Sequence, residues 1–206
     1  MAKCFDVVGY IEPCNAVRQK YTGRALLITG LDTAGYLADI EFSDNGLEVI
    51  SISGEQDYSS IITNKKDGDV ILPVTINAEN PFGVTVQGNT DSGRVMDTKT
   101  IPVSIPATRG GKAEEFIMGL IKGLVYPSVI ILENTESEKN FGSSPTKCRN
   151  DIFGAYSSVR LDPASVTRSE YENGGAWTFN LICDEPVPNV ICSMAGLSKA
   201  LDTLNV

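Results

Sequence analysis

Short β-type runs recur along this chain, and they constrain its fold more than any other feature of the sequence. They are rich in β-branched and aromatic residues, which favour strands. Turn signals such as Asp44-Asn45-Gly46 separate them, and most of the connections are of hairpin size. In the first half the runs cover Arg24–Gly30, Tyr36–Phe42, Leu47–Ser53, Asp69–Asn77 and Phe82–Gly88.

A further extended segment, Val95–Ile105, contains Pro102 and is followed by Pro106. Proline lacks the amide hydrogen that a central strand needs, so this segment is predicted at a sheet edge or in a bulge. An edge strand can pair with a neighbouring subunit, which makes Pro102 a candidate interface residue.

Ala113–Tyr126 is the strongest helical pattern in the chain. Its apolar residues recur at helical spacing and are predicted to pack on the sheet. Glu114 and Glu115 suit the positive end of the helix dipole, and Pro127 marks the end. The predicted buried positions are Phe116, Ile117, Leu120, Ile121 and Leu124.

The second half adds three strands, Ser128–Glu133, Asp151–Ser157 and Ala176–Cys183, and a terminal helix in Ser193–Leu204. The stretch Asp162–Gly175 is rich in Asp, Ser, Glu and Gly and is predicted to be a connection.

This order lacks the regular strand-helix alternation of a parallel sheet. We therefore predict one mainly β domain over residues 1–206, a β-barrel or sandwich with one flanking helix and a short C-terminal helix. An α+β arrangement is the alternative. At 206 residues the chain is long enough for such a core.

The chain has no histidine, which removes the commonest general base and metal ligand. Thr108–Lys112 precedes a helix but lacks the spacing and hydroxyl residue of a phosphate-binding loop. A carboxylate pair such as Glu133 with Asp151 stays open as a hydrolase-type site. We predict that the protein is not an enzyme and that it has no catalytic, cofactor-binding or metal-binding residues.

The five cysteines are odd in number and lack a Cys-x-x-Cys pair, which favours free thiols over a disulfide framework or zinc site. Proximity of Cys4 to Cys14 and of Cys183 to Cys192, each pair across a hairpin, stays open. The N-terminus does not resemble a signal peptide, and no apolar run approaches a membrane span. We expect synthesis in a cytoplasm and no membrane partner.

The formal net charge of −9 opposes sequence-independent nucleic-acid binding, which depends on Lys and Arg neutralising phosphates. An acidic surface repels DNA and would suit a wall past which DNA slides. DNA is therefore expected only as passing cargo.

The string Asn173-Gly174-Gly175-Ala176-Trp177 joins a turn to the chain's one tryptophan at a strand start. Phe179 stands two residues on and is predicted to share a strand face with Trp177. The pair is typical of packing, and Trp177 is a candidate core or interface anchor.

The C-terminal half contains the segments AEEFIMGLIKGLVYPSVIILEN and DIFGAYSSVRLDPASVTRSEYENGGAWTFNLICDEP and closes with a short helix. With these features it resembles phage tail and other virion proteins, particularly those of Bacteroides-group phages. The pattern Phe-Gly-x-Tyr-x-x-x-Arg-Leu and the string Gly-Gly-Ala-Trp carry this resemblance, whereas the N-terminal half has no match.

The resemblance implies a tail-tube-like virion subunit, made in the host cytoplasm, that forms homo-oligomeric rings and tubes with other virion proteins. A capsid decoration, neck or connector role is the nearest alternative. A carbohydrate-binding β-sandwich module ranks lower because aromatic residues are few, and a carboxylate hydrolase ranks last.

The loop Asn134–Thr146 is predicted to be mobile in the isolated subunit and ordered by a neighbour. It has one large apolar residue, Phe141, among polar ones. Phe141 and Glu138 are therefore candidate interface residues. We expect a protease to cleave the free subunit near Lys139.

Overall fold

The computed structural model describes residues 21–30, 39–44, 46, 48–64, 70–88, 95–106, 112–122, 128–135, 150–169, 175–186 and 190–204. These residues form a mainly β fold with three short helices, which confirms the predicted class. The strands are β1 (Tyr21–Thr29), β2 (Ile40–Phe42), β3 (Glu48–Ile52), β4 (Val70–Ile76), β5 (Gly83–Gly88), β6 (Val95–Pro106), β7 (Ser128–Asn134), β8 (Asn150–Phe153), β9 (Arg160–Ser169), β10 (Ala176–Pro186) and β11 (Ile191–Cys192). The helices are α1 (Tyr58–Thr63), α2 (Lys112–Ile121) and α3 (Leu197–Leu204).

The strands belong to one sheet in the order β2-β3-β11-β8-β7-β1-β4-β6-β10-β9, with β5 paired to β6 beside β4. The pairing of β11 with β3 is parallel, and the other named pairs are antiparallel. No closed barrel forms among the described strands, because β2 and β9 end the sheet without pairing to each other.

The sheet buries apolar side chains on both faces. Because successive residues of a strand point to opposite faces, Leu26 and Ile131 belong to one core and Leu27 and Ile130 to the other. We call these the α3 face and the α2 face, after the helices that cover them. Central strands buried on both sides explain the nearly continuous apolar runs of β1 and β7.

Helices α1 and α3 cover the α3 face over one half of the sheet. Leu197, Ala200 and Leu201 of α3 are buried there, together with Tyr58 and Ile61 of α1.

The start of α1 lies against the residue that precedes α3. Asp57 caps α1 by accepting a hydrogen bond from the Ser59 amide at 2.8 Å. Gly196 has φ +81°, and a β-carbon there would lie 2.7 Å from Asp57 Oδ2. Glycine is therefore required at this close approach.

Helix α2 covers the α2 face with Phe116 and Ile117, as predicted. Leu120 is only half-buried, and the predicted burial of Ile121 is wrong, since that side chain is 40% exposed. The helix packs against β9 along a stripe narrower than its apolar pattern. Leu124 lies outside the described residues.

Three elements were missed by the sequence patterns: α1, β9 and β11. The stretch predicted as a connection from Asp162 is strand to Ser169, because β10 supplies its hydrogen-bonding partner. Strand β11 has two residues and is defined by its pairing with β3 and β8.

Cys183 and Cys192 are both buried, but in different cores, on the α2 and α3 faces respectively. The open possibility that Cys183 and Cys192 lie together is wrong, and Cys4 and Cys14 lie outside the described residues. Among the described residues no helix combines the length and apolar character needed for a membrane crossing.

Candidate functional site

The two ends of the sheet differ in length and in charge. Strand β9 has ten residues and carries exposed Arg160 and Arg168, whereas β2 has three residues with exposed Glu41 at its centre. In the described part of the chain, neither has a strand partner on its outer side. Such edges present unpaired backbone groups to a further strand.

A bulge divides β9. Thr167 pairs with Thr178 and Asp162 with Asn180, so residues 163–166 lie opposite the single residue Phe179. The Ser165 hydroxyl fixes this bulge, accepting a hydrogen bond from the Asn180 amide and donating to the Asp162 carbonyl, both at 2.7 Å. Two regular stretches remain, residues 160–162 and 167–169.

The structure places Pro102 in a central strand, so the predicted edge or bulge is wrong. Strand β6 pairs with β10 along its length and with β4 and β5 on its other side. Pro102 falls in the interval between the pairs Ile76–Val103 and Gly83–Thr100, where β4 ends and β5 begins. This gap accommodates a residue without an amide hydrogen. Its side chain is exposed on the α3 face.

Trp177 lies on the α2 face of β10, the same face as Phe179, as the alternation predicts. It is half-buried, and the Arg168 guanidinium carbon lies 5.5 Å from its ring centroid. Arg168 Nη1 also lies 3.8 Å from Glu114 Oε1 of α2. Trp177 therefore anchors the junction of β9, β10 and α2, and its interface role stays a prediction.

Phe141 and Glu138 lie outside the described residues, and their predicted interface role stays a prediction. The loop was predicted to begin one residue too early, since Asn134 closes β7 and is buried at 3% exposure. Thr135, the next residue, is exposed.

A row of hydroxyl groups crosses four strands on the α3 face. Register places Thr75 of β4 beside Ser104 of β6, Ser104 beside Thr178 of β10, and Thr178 beside Thr167 of β9. The Thr167 and Thr178 hydroxyl oxygens are 2.6 Å apart. We call these four residues the hydroxyl row.

Three residues of the hydroxyl row, Thr75, Ser104 and Thr178, line a groove of about 550 Å³. Pro102 and Asn180 of the adjoining register position also line it. None of the described residues lining it is charged. Sequence alternation could have indicated that Thr178 and Asn180 share a face of β10, but not the alignment of hydroxyls from separate strands.

Glu133 and Asp151, the carboxylate pair considered above, lie on opposite faces of the sheet. Glu133 follows Ile131 by two residues and shares the α3 face, whereas Asp151 shares the α2 face with Phe153. A glycosidase-type pair requires both carboxyl groups to flank one bond. This pair does not meet that requirement.

Glu133 fastens α3 to the sheet. The residue is 1% exposed, and its carboxylate accepts two hydrogen bonds from Arg24, both at 2.8 Å, and others from Ser198 and Thr22. Arg24 also bonds Asp202 of α3 at 2.5 Å. Burial raises the pKa of Glu133, but these hydrogen bonds outweigh it and hold the pKa below its ordinary value.

A second buried polar cluster occupies the α2 face. Tyr21 donates a hydrogen bond to Asp151 at 2.5 Å, and Lys99 Nζ lies 3.0 Å from Asp97 and 5.9 Å from the Phe82 ring centroid. Burial raises the pKa of Asp151 despite the Tyr21 bond and the Lys99 charge. Burial and the neighbouring Asp151 carboxylate raise the pKa of Tyr21. The named contacts join these groups inside a core, but Asp97 Oδ1 is buried without a hydrogen-bond partner among the described residues.

The described residues contain no group of three or more acidic or cysteine side chains placed to hold a metal ion. Of the Thr108–Lys112 segment, the structure describes Lys112 as the first residue of α2, and the remainder lies outside the described residues.

Comparisons of the whole chain with protein-family models, with curated proteins and with solved structures each return no match.

Proposed function

We propose that this chain is a structural subunit that assembles with copies of itself through the two ends of its open sheet. The observation that carries the proposal is the pair of unequal edges, β9 with two regular three-residue stretches and β2 with three residues. An exposed edge pairs with a strand of another chain through main-chain hydrogen bonds.

Length and charge favour a contact of β2 from one copy with β9 of the next. Strand β2 matches either regular stretch of β9 in length, and its exposed Glu41 is complementary to Arg160 and Arg168. The bulge at residues 163–166 interrupts the edge, which disfavours pairing at other registers. A contact between two different surfaces is head-to-tail, so it generates rings or helical tubes.

The place of this assembly in a phage particle rests on the resemblance of the C-terminal half to phage tail proteins. In this proposal the chain is a tail-tube or related tail subunit of the virion, with other virion proteins as partners. Its net charge of −9 is compatible with DNA as passing cargo. The proposal assigns no catalytic chemistry to the chain, and a capsid decoration or connector role is the alternative.

Light scattering and negative-stain micrographs test assembly directly. Purified wild-type protein should form rings or tubes as its concentration rises. A strictly monomeric protein at the highest attainable concentration would contradict the proposal.

Crosslinking tests which edges meet. In a background with Cys4, Cys14 and Cys148 changed to Ser, the double variant Glu41→Cys/Thr167→Cys should give a ladder of multimers with a short bismaleimide. Neither single variant should give a crosslinked dimer, because a head-to-tail contact brings different positions together.

The matched control replaces Thr167→Cys with Thr203→Cys on the exposed side of α3. It should give no ladder. Equal ladders from both double variants would mean that crosslinking reports random collision, and dimers from Thr167→Cys alone would indicate a symmetric β9–β9 contact instead.

A further inference from the structure

The proposed assembly uses the two edges of the sheet and does not use the groove along the hydroxyl row. The groove lies on the α3 face over β4, β6, β10 and β9, away from the outer edge of β9. Its volume of about 550 Å³ falls within the range of small-molecule sites. We infer that this groove binds a neutral oligosaccharide.

Charge is the first argument. Charged residues make up 21% of the chain, yet none of the described residues lining the groove is charged. The groove has no charged side chain to offset the free-energy cost of desolvating an ionic ligand. The overall charge of −9 also disfavours the binding of anionic glycans. A ligand that fits must be neutral.

The arrangement of polar groups is the second argument. Thr75, Ser104 and Thr178 present hydroxyls at the interval between neighbouring strands, about 4.8 Å. Each hydroxyl both donates and accepts a hydrogen bond, as the hydroxyls of a sugar do. The row therefore suits a ligand with regularly repeated hydroxyl groups lying across the strands.

The groove is also held in shape before a ligand arrives. Thr178 is fixed by its 2.6 Å contact with Thr167, and Ser165 is fixed by two backbone bonds across the β9 bulge. The exposed Pro102 ring adds an apolar surface next to the Asn180 amide, which suits the C–H face of a sugar ring. Groups fixed in advance reduce the entropy lost on binding.

Trp177 does not belong to this site, because it points to the α2 face. A glycan site organised around that tryptophan would lie elsewhere, so the substitution Trp177→Ala separates the two locations.

The test is isothermal titration of the wild-type protein with neutral hexasaccharides of glucose, xylose and N-acetylglucosamine, and with hexagalacturonate as the charged comparison. We expect saturable binding of at least one neutral hexasaccharide and none of hexagalacturonate. The double variant Ser104→Ala/Thr178→Val should weaken binding by about tenfold or more, since it removes two hydrogen-bonding groups and leaves the strand backbone intact.

Thr85→Val is the matched control, because Thr85 is an exposed strand threonine on β5 that does not line the groove. It and Trp177→Ala should bind like wild type, and circular dichroism melting confirms that each variant is folded. Should Ser104→Ala/Thr178→Val unfold, the single variant Asn180→Ala replaces it with the same expectation of weaker binding. Absence of saturable binding by folded wild type, or binding unaffected by the groove variants, overturns the inference.

Discussion

The α3 face has two halves that differ in what lies on them. Over β3, β11, β8, β7 and β1 it is apolar, and α1 and α3 cover it. Over the end of β4 and over β6, β10 and β9 it carries hydroxyl and amide groups, and no described helix packs on it. The chain thus buries one half for stability and leaves the other half to solvent or a ligand.

Arg24 lies at the boundary between these halves. It pairs with Thr75 of the hydroxyl row across β1 and β4, while its guanidinium bonds Glu133 and Asp202 on the covered side. One continuous face can therefore be covered by helices in one half and left open in the other, because the pattern of side chains changes from strand to strand.

The largest effect is expected in the covered half. Leu201→Ala removes a fully buried side chain where α3 packs on the sheet and should lower the free energy of unfolding by about 2–5 kcal/mol. Urea denaturation followed by circular dichroism measures the loss. A cost below about 1 kcal/mol would mean that α3 is not docked as the structure shows.

A smaller effect is expected at the boundary. Arg24→Met leaves the buried Glu133 carboxylate without its guanidinium partner and should cost about 1–3 kcal/mol. The double variant Arg24→Met/Glu133→Gln should cost less than the sum of the single variants, because their interaction is then counted once. Additive costs from the same denaturation experiments would show that the pair is not coupled.

The boundary also predicts a pH dependence. The pKa of Glu133 in the folded chain lies below its ordinary value, so its stabilisation is fully present above that ordinary value and is lost as pH falls through the folded pKa. Glu133→Gln lacks this stabilisation at every pH. The stability difference between wild type and Glu133→Gln should therefore be greatest near neutral pH and shrink on acidification.

Urea titrations of both proteins across the acidic range measure this difference. The raised pKa of Asp151 acts in the opposite direction but is shared by both proteins, so it cancels. A difference that grows on acidification would contradict the assignment.

The smallest effect is expected in the open half. Thr178→Val retains a β-branched residue at an exposed position and should change the free energy of unfolding by no more than about 0.5 kcal/mol. Thermal melting checks this. A large loss would mean that the hydroxyl row supports the fold, and the contrast between the two halves would then fail.

Sequence patterns predicted much of the local structure, because local structure depends on neighbouring residues. Alternation and turn signals located nine of the eleven strands, β1, β3, β4 and β7 most closely. They assigned most of β9 to a connection and did not indicate β11. Asp57 with Tyr58 and Ile61 provides a capping and spacing signal for α1, but the helix is only six residues long and its signal is correspondingly weak.

The candidate site was harder to predict because it depends on strand order. Proline favours an edge on average, yet Pro102 lies in central β6, where a gap between β4 and β5 accommodates it. The true edge, β9, has a polar composition typical of a loop, because a strand with one partner and one covered face needs few apolar residues.

The sequence by itself determined the mainly β class, the α2 helix and the shared face of Trp177 and Phe179, since each follows from the period of a strand or helix. The tertiary structure alone decided which strands became edges, which face Glu133 and Asp151 occupy, and which hydroxyls form a row. These properties depend on pairing between residues distant along the chain, such as Thr75 with Ser104 and Ser104 with Thr178, and the period of a single strand carries no information about its partner.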